Sequence, residues 1–288
     1  MAIILITGAK GQLGNELKVF SQNFYGYDFI FTDIDTLDIT NPEQTSDFIK
    51  KVRPDWIVNC AAYNFVDKAE TEPDQALLIN ADAVKNITEV IRGSECRFIH
   101  VSSDYVYDGN SNVPYNESAV PNPLSTYGRS KLAGEKYALL HPGSMIIRTS
   151  WLYSTFGNNF VKTILKRGAE NETLNVVIDQ TGTPTYAADL AGAIMSIISG
   201  VIRNQIAMNS GIYNYSNEGV CTWYDFAYEI IKESGLACQV SPVLTAQFKQ
   251  TAPRPSYSVM DKTKIKGNYG LSIPHWRTSL TKCLKLLK

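Results

Sequence analysis

Apolar positions along this 288-residue chain follow two alternating rhythms over the first 150 residues. Apolar-rich runs stand at 3–7, 28–32, 56–58, 97–101 and 145–147, each closed by polar or glycine residues. Such short continuous runs are the pattern of strands buried on both faces. Between them the spacing changes to that of helices. Leu13, Leu17 and Phe20 recur along one face, Pro42 opens a segment reaching Val52, and helical patterns cover 74–92 and 125–140. Proline suits the first turn of a helix, where its missing N–H costs nothing. This β-α-β-α succession predicts a doubly wound parallel α/β sheet with right-handed crossovers.

Past Thr149 the alternation loosens. Helical patterns at 158–167 and 187–199 flank an apolar triplet, Val176-Val177-Ile178. Ile212 to Tyr215, a helical segment 222–233, a loop 252–257 bearing Pro and Arg, and a closing helix after Pro274 complete the chain. Trp276, Leu280, Leu284 and Leu287 form one stripe on that last helix. The expectation is a nucleotide-binding domain over 1–150, with a later return of roughly 172–203. A smaller mixed α/β lobe, mainly 151–288, would cover the sheet's C-terminal edge, where ligands of open α/β sheets bind.

Composition narrows the choices. Hydrophobic residues make up 44% and charged residues 19%, which is ordinary for a globular chain and excludes disorder. Net charge is −1, from 27 basic and 28 acidic residues, so no general attraction to nucleic acid or anionic membrane follows. The apolar start at Ala2–Ile6 runs directly into Thr7-Gly8, too short for a signal peptide. Five scattered cysteines without a C-x-x-C pair suit a reduced, cytoplasmic protein. His100, His141 and His275 lack metal-ligand spacing, and no metal site is expected.

Two motifs carry chemistry. Gly8-Ala9-Lys10-Gly11-Gln12-Leu13-Gly14 is G-x-x-G-x-x-G between a first strand and a first helix. Glycines there allow a tight turn and close approach of backbone to a pyrophosphate, and the helix N-terminus offers free N–H groups to the anion. The second strand ends at Asp33, placed to accept from an adenosine ribose and to disfavour a 2′-phosphate. That favours NADH over NADPH, although Lys10 could compensate and Asp33 could simply cap a turn. Asp38 and Ile39 are candidates to flank the adenine. Ala61, Ala62 and Tyr63, after the third strand, are candidates for the pyrophosphate and nicotinamide-ribose side.

The second motif is Tyr127-Gly128-Arg129-Ser130-Lys131, preceded by Ser102-Ser103-Asp104-Tyr105 at the end of the fourth strand. Residues four apart share a helix face. A phenol beside an ammonium is a proton donor for a carbonyl undergoing reduction, because the cation favours the phenolate and lowers the phenol's pKa. Ser103 would hold the substrate oxygen. Beside a dinucleotide loop, this device points to hydride transfer.

With these residues in place, the chain resembles the extended short-chain dehydrogenases/reductases and, within them, the dTDP-4-dehydrorhamnose reductases. The resemblance rests on GAKGQLG at 8–14, LDIT at 37–40, CAAYNFVDKAE at 60–70, SDYVYDG at 103–109 and YGRSKLAGE at 127–135. It continues through RTSWLY at 148–153, GNNFV at 157–161, DQTGTPT at 179–185 and Arg254-Pro255. It implies a Rossmann-type fold and reduction of the 4-keto group of dTDP-4-dehydro-L-rhamnose. Tyr127 would donate the proton, Lys131 would tune it and contact the nicotinamide ribose, and Ser103 would replace the commoner threonine. Asp104 and Tyr105 would meet the sugar, Trp151 would pack on the substrate, and Asn159, Gln180 and Arg254 would contact the nucleotide-sugar from the lobe. Related dehydratases carry a glutamate where this chain has Tyr105. Tyr257 stands where many relatives carry asparagine. Glu16 matches a magnesium-binding position, but no acid follows Asp261, so a metal-bridged dimer is not expected; a monomer or plain homodimer is. Two other readings stay open: a reductase or epimerase of another nucleotide-sugar, and a non-catalytic cofactor-binding regulator.

Overall fold

The computed structural model describes residues 1–247 and 250–287. Its centre is a six-stranded, all-parallel sheet. The chain enters through β1 (Ala2–Thr7), α1 (Gln12–Ser21), β2 (Tyr27–Thr32), α2 (Pro42–Val52) and β3 (Trp56–Asn59). Helices α3 (Val66–Ala69), α4 (Pro73–Leu77) and α5 (Ala83–Val90) follow, then β4 (Arg97–Ser103), α6 (Thr126–Ala138) and β5 (Ser144–Thr149). Strand β1 pairs with β2 on one side and β3 on the other, so the connection reverses direction between β1 and β3. A crevice opens at such a switch point, beyond the carboxyl ends of the strands.

The remaining elements are β6 (Leu152–Tyr153), α7 (Phe160–Glu170), β7 (Thr173–Val177), β8 (Thr181–Gly182), β9 (Thr185–Tyr186) and α8 (Ala187–Ile202). After them come β10 (Gly211–Tyr215), β11 (Cys221–Thr222), α9 (Trp223–Ser234), β12 (Gln239–Val243), α10 (Thr263–Tyr269) and α11 (Trp276–Leu287). The main sheet runs β10-β5-β4-β3-β1-β2. Within the 172–203 segment, α8 packs on α1 against the main sheet, whereas β7 pairs with β12 in a separate two-stranded ribbon. The sixth place in the main sheet goes to β10, which pairs with β5.

Local chemistry sets the element ends. Asn41 accepts from the Gln44 N–H at 3.0 Å and Pro42 opens α2. Ser125 caps α6 through the Gly128 N–H, and Thr222 and Asp225 form a reciprocal capping box on α9. The helical pattern of 74–92 is interrupted: a π turn at Leu78–Asp82 separates α4 from α5. One face of the sheet packs Leu13, Leu17, Leu190 and Ile194 against Ile4, Val58 and Ile147. The other packs Ile49, Val84 and Ile87 against Leu5, Ile57 and Phe98. A separate core in the later chain gathers Phe226, Ile230, Trp276, Leu280 and Leu284, with Leu287 at its edge, so the stripe of the last helix is a core face.

Candidate active site

The crevice at the switch point holds two cavities that meet. One, of about 510 Å³, is lined by Gly8, Lys10, Asp33, Asp38, Ile39, Ala61 and their neighbours. The other, of about 380 Å³, is lined by Gln12, Ser103, Asp104, Tyr105, Tyr127, Lys131, Trp151 and residues of the later chain. Gly11, Cys60, Ala62 and Asn64 line both.

Backbone shapes the first cavity. Gly8 has φ +68°, a left-handed conformation, and a Cβ on it would lie 2.5 Å from the Ala61 nitrogen. A Cβ on Gly14 would lie 2.4 Å from the Gly8 carbonyl oxygen, so this glycine sets the packing of α1 on the loop and does not line the cavity. These two glycines let backbone pack closely on backbone at the N-terminus of α1, a kind of position that suits an anion. Asp33 closes the loop by accepting from the Lys10 N–H at 2.8 Å. The Lys10 ammonium is held by Asp35 at 2.8 Å, both largely exposed. Tyr63 turns away: its hydroxyl donates to Glu72 at 2.7 Å, and it lines neither cavity.

The second cavity is built from buried side chains on β4 and α6. Ser103 ends β4, its hydroxyl donating to Asp104 Oδ1 at 3.0 Å and accepting from the Tyr105 N–H at 3.2 Å. Tyr127 and Lys131 enter from the first turns of α6, and the helix is located by several contacts. Glu70 accepts from the Thr126 N–H and hydroxyl, each at 2.7 Å. Asn80, on the π turn, donates to Ser130 at 2.9 Å while bonding both backbone groups of Tyr63. Gly134 lets α6 touch that turn, since a Cβ there would lie 2.0 Å from the Asn80 carbonyl oxygen. The π turn thus fixes α6 against the loop after β3.

Burial dominates the electrostatics. It pushes the Tyr127 phenol up to about 12, against the pull of the Ser103 hydroxyl. It pulls Lys131 down to about 8, partly offset by Glu135. The Lys131 ammonium donates to the Val101 carbonyl at 2.6 Å, and the Tyr127 hydroxyl to Asn64 at 3.4 Å. The sequence-based expectation that the ammonium lowers this phenol's pKa is therefore not met here. Desolvation and the charge of Asp104 raise it, and Lys131 is engaged by the strand. Asp104 is buried, with Oδ2 unpartnered, and burial raises its carboxyl to about 6 while the hydroxyls of Ser258 and Ser103 pull it down.

Trp151 walls the cavity at φ +47°, stacked on Trp223 at 3.6 Å between ring centroids. A bulky residue in that conformation stays only where its surroundings enforce it.

The family model described as "RmlD substrate binding domain" matches residues 1–288. A dTDP-4-dehydrorhamnose reductase of Aggregatibacter actinomycetemcomitans is 38% identical over 287 residues, 97% of each chain. The crystal structure of a dTDP-4-dehydrorhamnose reductase from Clostridium acetobutylicum superposes with TM-score 0.93 at 38% identity, covering 99% of each chain. That of the Bacillus anthracis reductase, in complex with NADP, superposes with TM-score 0.91 at 38% identity, covering 99% of this chain and 100% of that one. The chain belongs to the dTDP-4-dehydrorhamnose reductase family.

It is thereby a nicotinamide-dependent oxidoreductase with a Rossmann-type fold. The second cavity draws together Ser103, Asp104, Tyr105, Tyr127, Lys131, Trp151 and Asn159. Asn159 caps α7 and donates to Gln12 at 3.0 Å, joining the glycine loop to the lobe. Gln180 and Arg254 are not part of the cavity wall. Gln180 is buried and donates to Thr245 at 3.0 Å. Arg254 is clamped by Asp67 at 2.7 Å, which holds that carboxyl down at about 2. Tyr257 packs near Tyr115, beside an isolated bridge to Thr181. Glu16 is turned inward, accepting from the Ser154 hydroxyl at 2.6 Å. Residue-by-residue reading missed Cys60, Asn64, Phe160 and Trp223 as wall residues and Asn80 as a clamp. Cys60 and Asn64 stood inside the quoted CAAYNFVDKAE motif; Trp223, far along the chain, gave no local signal. No helix among the described residues is long and apolar enough to cross a membrane.

Proposed function

We propose that this reductase converts the 4-keto group of dTDP-4-dehydro-L-rhamnose to the alcohol of dTDP-L-rhamnose, with Tyr127 as proton donor. One observation carries the reading. Ser103, Tyr127 and Lys131 line a single cavity that opens, past Gly11, Cys60, Ala62 and Asn64, into the glycine-loop cavity. A reduced nicotinamide bound across that junction supplies the hydride.

The residues of the chain do the rest. As the carbonyl oxygen gains charge, Ser103 and Tyr127 hydrogen-bond it. Tyr127 then gives its proton to the oxygen. A phenol held near 12 is neutral, hence loaded, at neutral pH, and an alkoxide is a stronger base than phenolate, so transfer runs downhill. The Lys131 ammonium stabilises the phenolate left behind. Trp151, Trp223 and Phe160 exclude water from one side of the sugar site. Gly8, Gly11 and the start of α1 would hold the cofactor diphosphate, and Asp33 the adenosine ribose. NADH and NADPH both fit this outline. Use of NADPH requires a cation for the extra phosphate, and Lys10 supplies it only by leaving Asp35.

The test is oxidation of NADPH or NADH, followed optically, with enzymatically prepared dTDP-4-dehydro-L-rhamnose, and a nuclear magnetic resonance spectrum of the product. Formation of dTDP-L-rhamnose is expected. A C4 epimer would indicate a reductase of another 6-deoxysugar. Tight cofactor binding without turnover would indicate a regulator.

A further inference from the structure

The hydrogen-bond capacity of Ser103 is contested while Asp104 is ionised. A serine hydroxyl has one proton and two lone pairs. One lone pair already takes the Tyr105 N–H at 3.2 Å. Asp104 Oδ1 lies 3.0 Å away on the other side. A carboxylate can only accept, so an ionised Asp104 draws the proton of Ser103 to Oδ1, in competition with Tyr127 and with a substrate oxygen. Against a neutral carboxyl the direction reverses. Asp104 donates to the second lone pair of Ser103, and the serine proton is free to point into the cavity that Tyr127 also lines.

Burial favours the neutral form, while the hydroxyls of Ser258 and Ser103 favour the ionised one. Asp104 is 1% exposed, and no cation among the described residues forms an ion pair with it. The titratable groups facing it are Tyr105 on its own turn and Tyr127 on α6. Lys131 on α6 points to the Val101 carbonyl, and Arg254, behind Tyr105, is committed to Asp67. The hydroxyl of Ser258, from the C-terminal loop, pulls the carboxyl's pKa down, against the larger effect of burial. Oδ2 is buried without a partner, although Asp104 lines the cavity.

We propose that Asp104 works as a neutral carboxyl, a positioning residue that turns the Ser103 hydroxyl onto the reacting carbonyl oxygen. The inference rests on the reduction proposed above. It makes two donors, Ser103 and Tyr127, converge on one oxygen, and ionising Asp104 diverts the first. Protons stay balanced: Asp104 holds its own throughout, and the proton delivered to the product comes from Tyr127.

The experiment is the pH dependence of kcat/KM for the wild type, Asp104→Asn and Asp104→Ala, with cofactor binding as the folding control. An asparagine mimics the neutral acid, donating to Ser103 through its amide and accepting through its oxygen, and it does not titrate. Wild-type kcat/KM should fall as pH rises above about 6, approaching tenfold per unit. Asp104→Asn should be several-fold slower than wild type at about pH 5.5, because an amide is the weaker donor, and should show no fall until Lys131 deprotonates near 8. Asp104→Ala should lose more than about tenfold throughout. Wild-type inactivity would sink the reduction itself. With wild-type turnover present, an Asp104→Asn enzyme as slow as Asp104→Ala at every pH would overturn the role of Asp104 alone. So would a wild-type limb near 6 that survives in Asp104→Asn.

Discussion

The two cavities of the crevice are made differently. The nucleotide cavity is a backbone object: a left-handed glycine, a second glycine pressed on a carbonyl, and a helix start, with exposed Lys10 and Asp35 at its rim. The reacting cavity is a side-chain object, with Ser103, Asp104, Tyr127 and Lys131 each less than one-tenth exposed. In the first, shape is fixed by what the chain lacks. In the second, charge is set by what water cannot reach: Tyr127 and Asp104 are raised, Lys131 lowered, all with burial as the largest cause. The glycine-loop cavity is therefore built from local geometry, and the other from desolvation across distant segments.

Replacing the buried ammonium should break the reacting half alone. Lys131→Met is expected to lower kcat by about 10²–10⁴-fold, with cofactor affinity changed far less; equal losses in both would erase the distinction. The same ammonium gives a pH test. Its folded pKa is lowered to about 8, so turnover that needs the cation falls as pH rises through about 8.

Beneath the site, Glu135 and Arg148 form a fully buried pair at 2.6 Å, with Ser102 donating to the same carboxylate at 2.6 Å. Glu135→Gln leaves Arg148 charged and unpaired, and should cost about 3–5 kcal/mol in denaturant unfolding. A change below about 1 kcal/mol would mean the pair is not what holds α6 on β5.

Arg254→Ala should raise KM for the nucleotide-sugar about tenfold with a smaller change in kcat, because it unlatches the C-terminal loop from Asp67 and removes a planar donor fork. A kcat effect without a KM effect would move Arg254 into the reacting half. The smallest effect belongs to the exposed rim. Asp35→Asn frees Lys10, and should shift the NADPH-to-NADH ratio of kcat/KM toward NADPH by about two- to threefold, within the range of an exposed ion pair.

The same division explains what could be read in the sequence. The glycine loop, its strand and its helix lie within twenty residues, so pattern and local structure coincide there. Tyr127 and Lys131 were legible as a pair because helical periodicity places them together. What held them was not. The π turn at 78–82 leaves no mark in a helical pattern, yet its Asn80 clamps α6 through Ser130. Trp223 reaches Trp151 across 72 positions of sequence, by stacking alone. Arg254, expected to contact the nucleotide-sugar, is paired with Asp67 from 187 residues away, a partner that spacing could not reveal. The expected lowering of the Tyr127 pKa failed for a related reason. Spacing reveals which groups are neighbours, but desolvation depends on everything packed around them.

The account stands on the phenol as the source of the product's proton. The most direct measurement is the single-turnover rate of dTDP-4-dehydro-L-rhamnose reduction by Tyr127→Phe, with reduced cofactor saturating and its affinity measured alongside. The prediction is a rate lowered by about 10²–10⁴-fold with cofactor affinity within threefold or so of wild type. A Tyr127→Phe rate close to that of the wild type would contradict it, and the proton would have to come from elsewhere in the cavity.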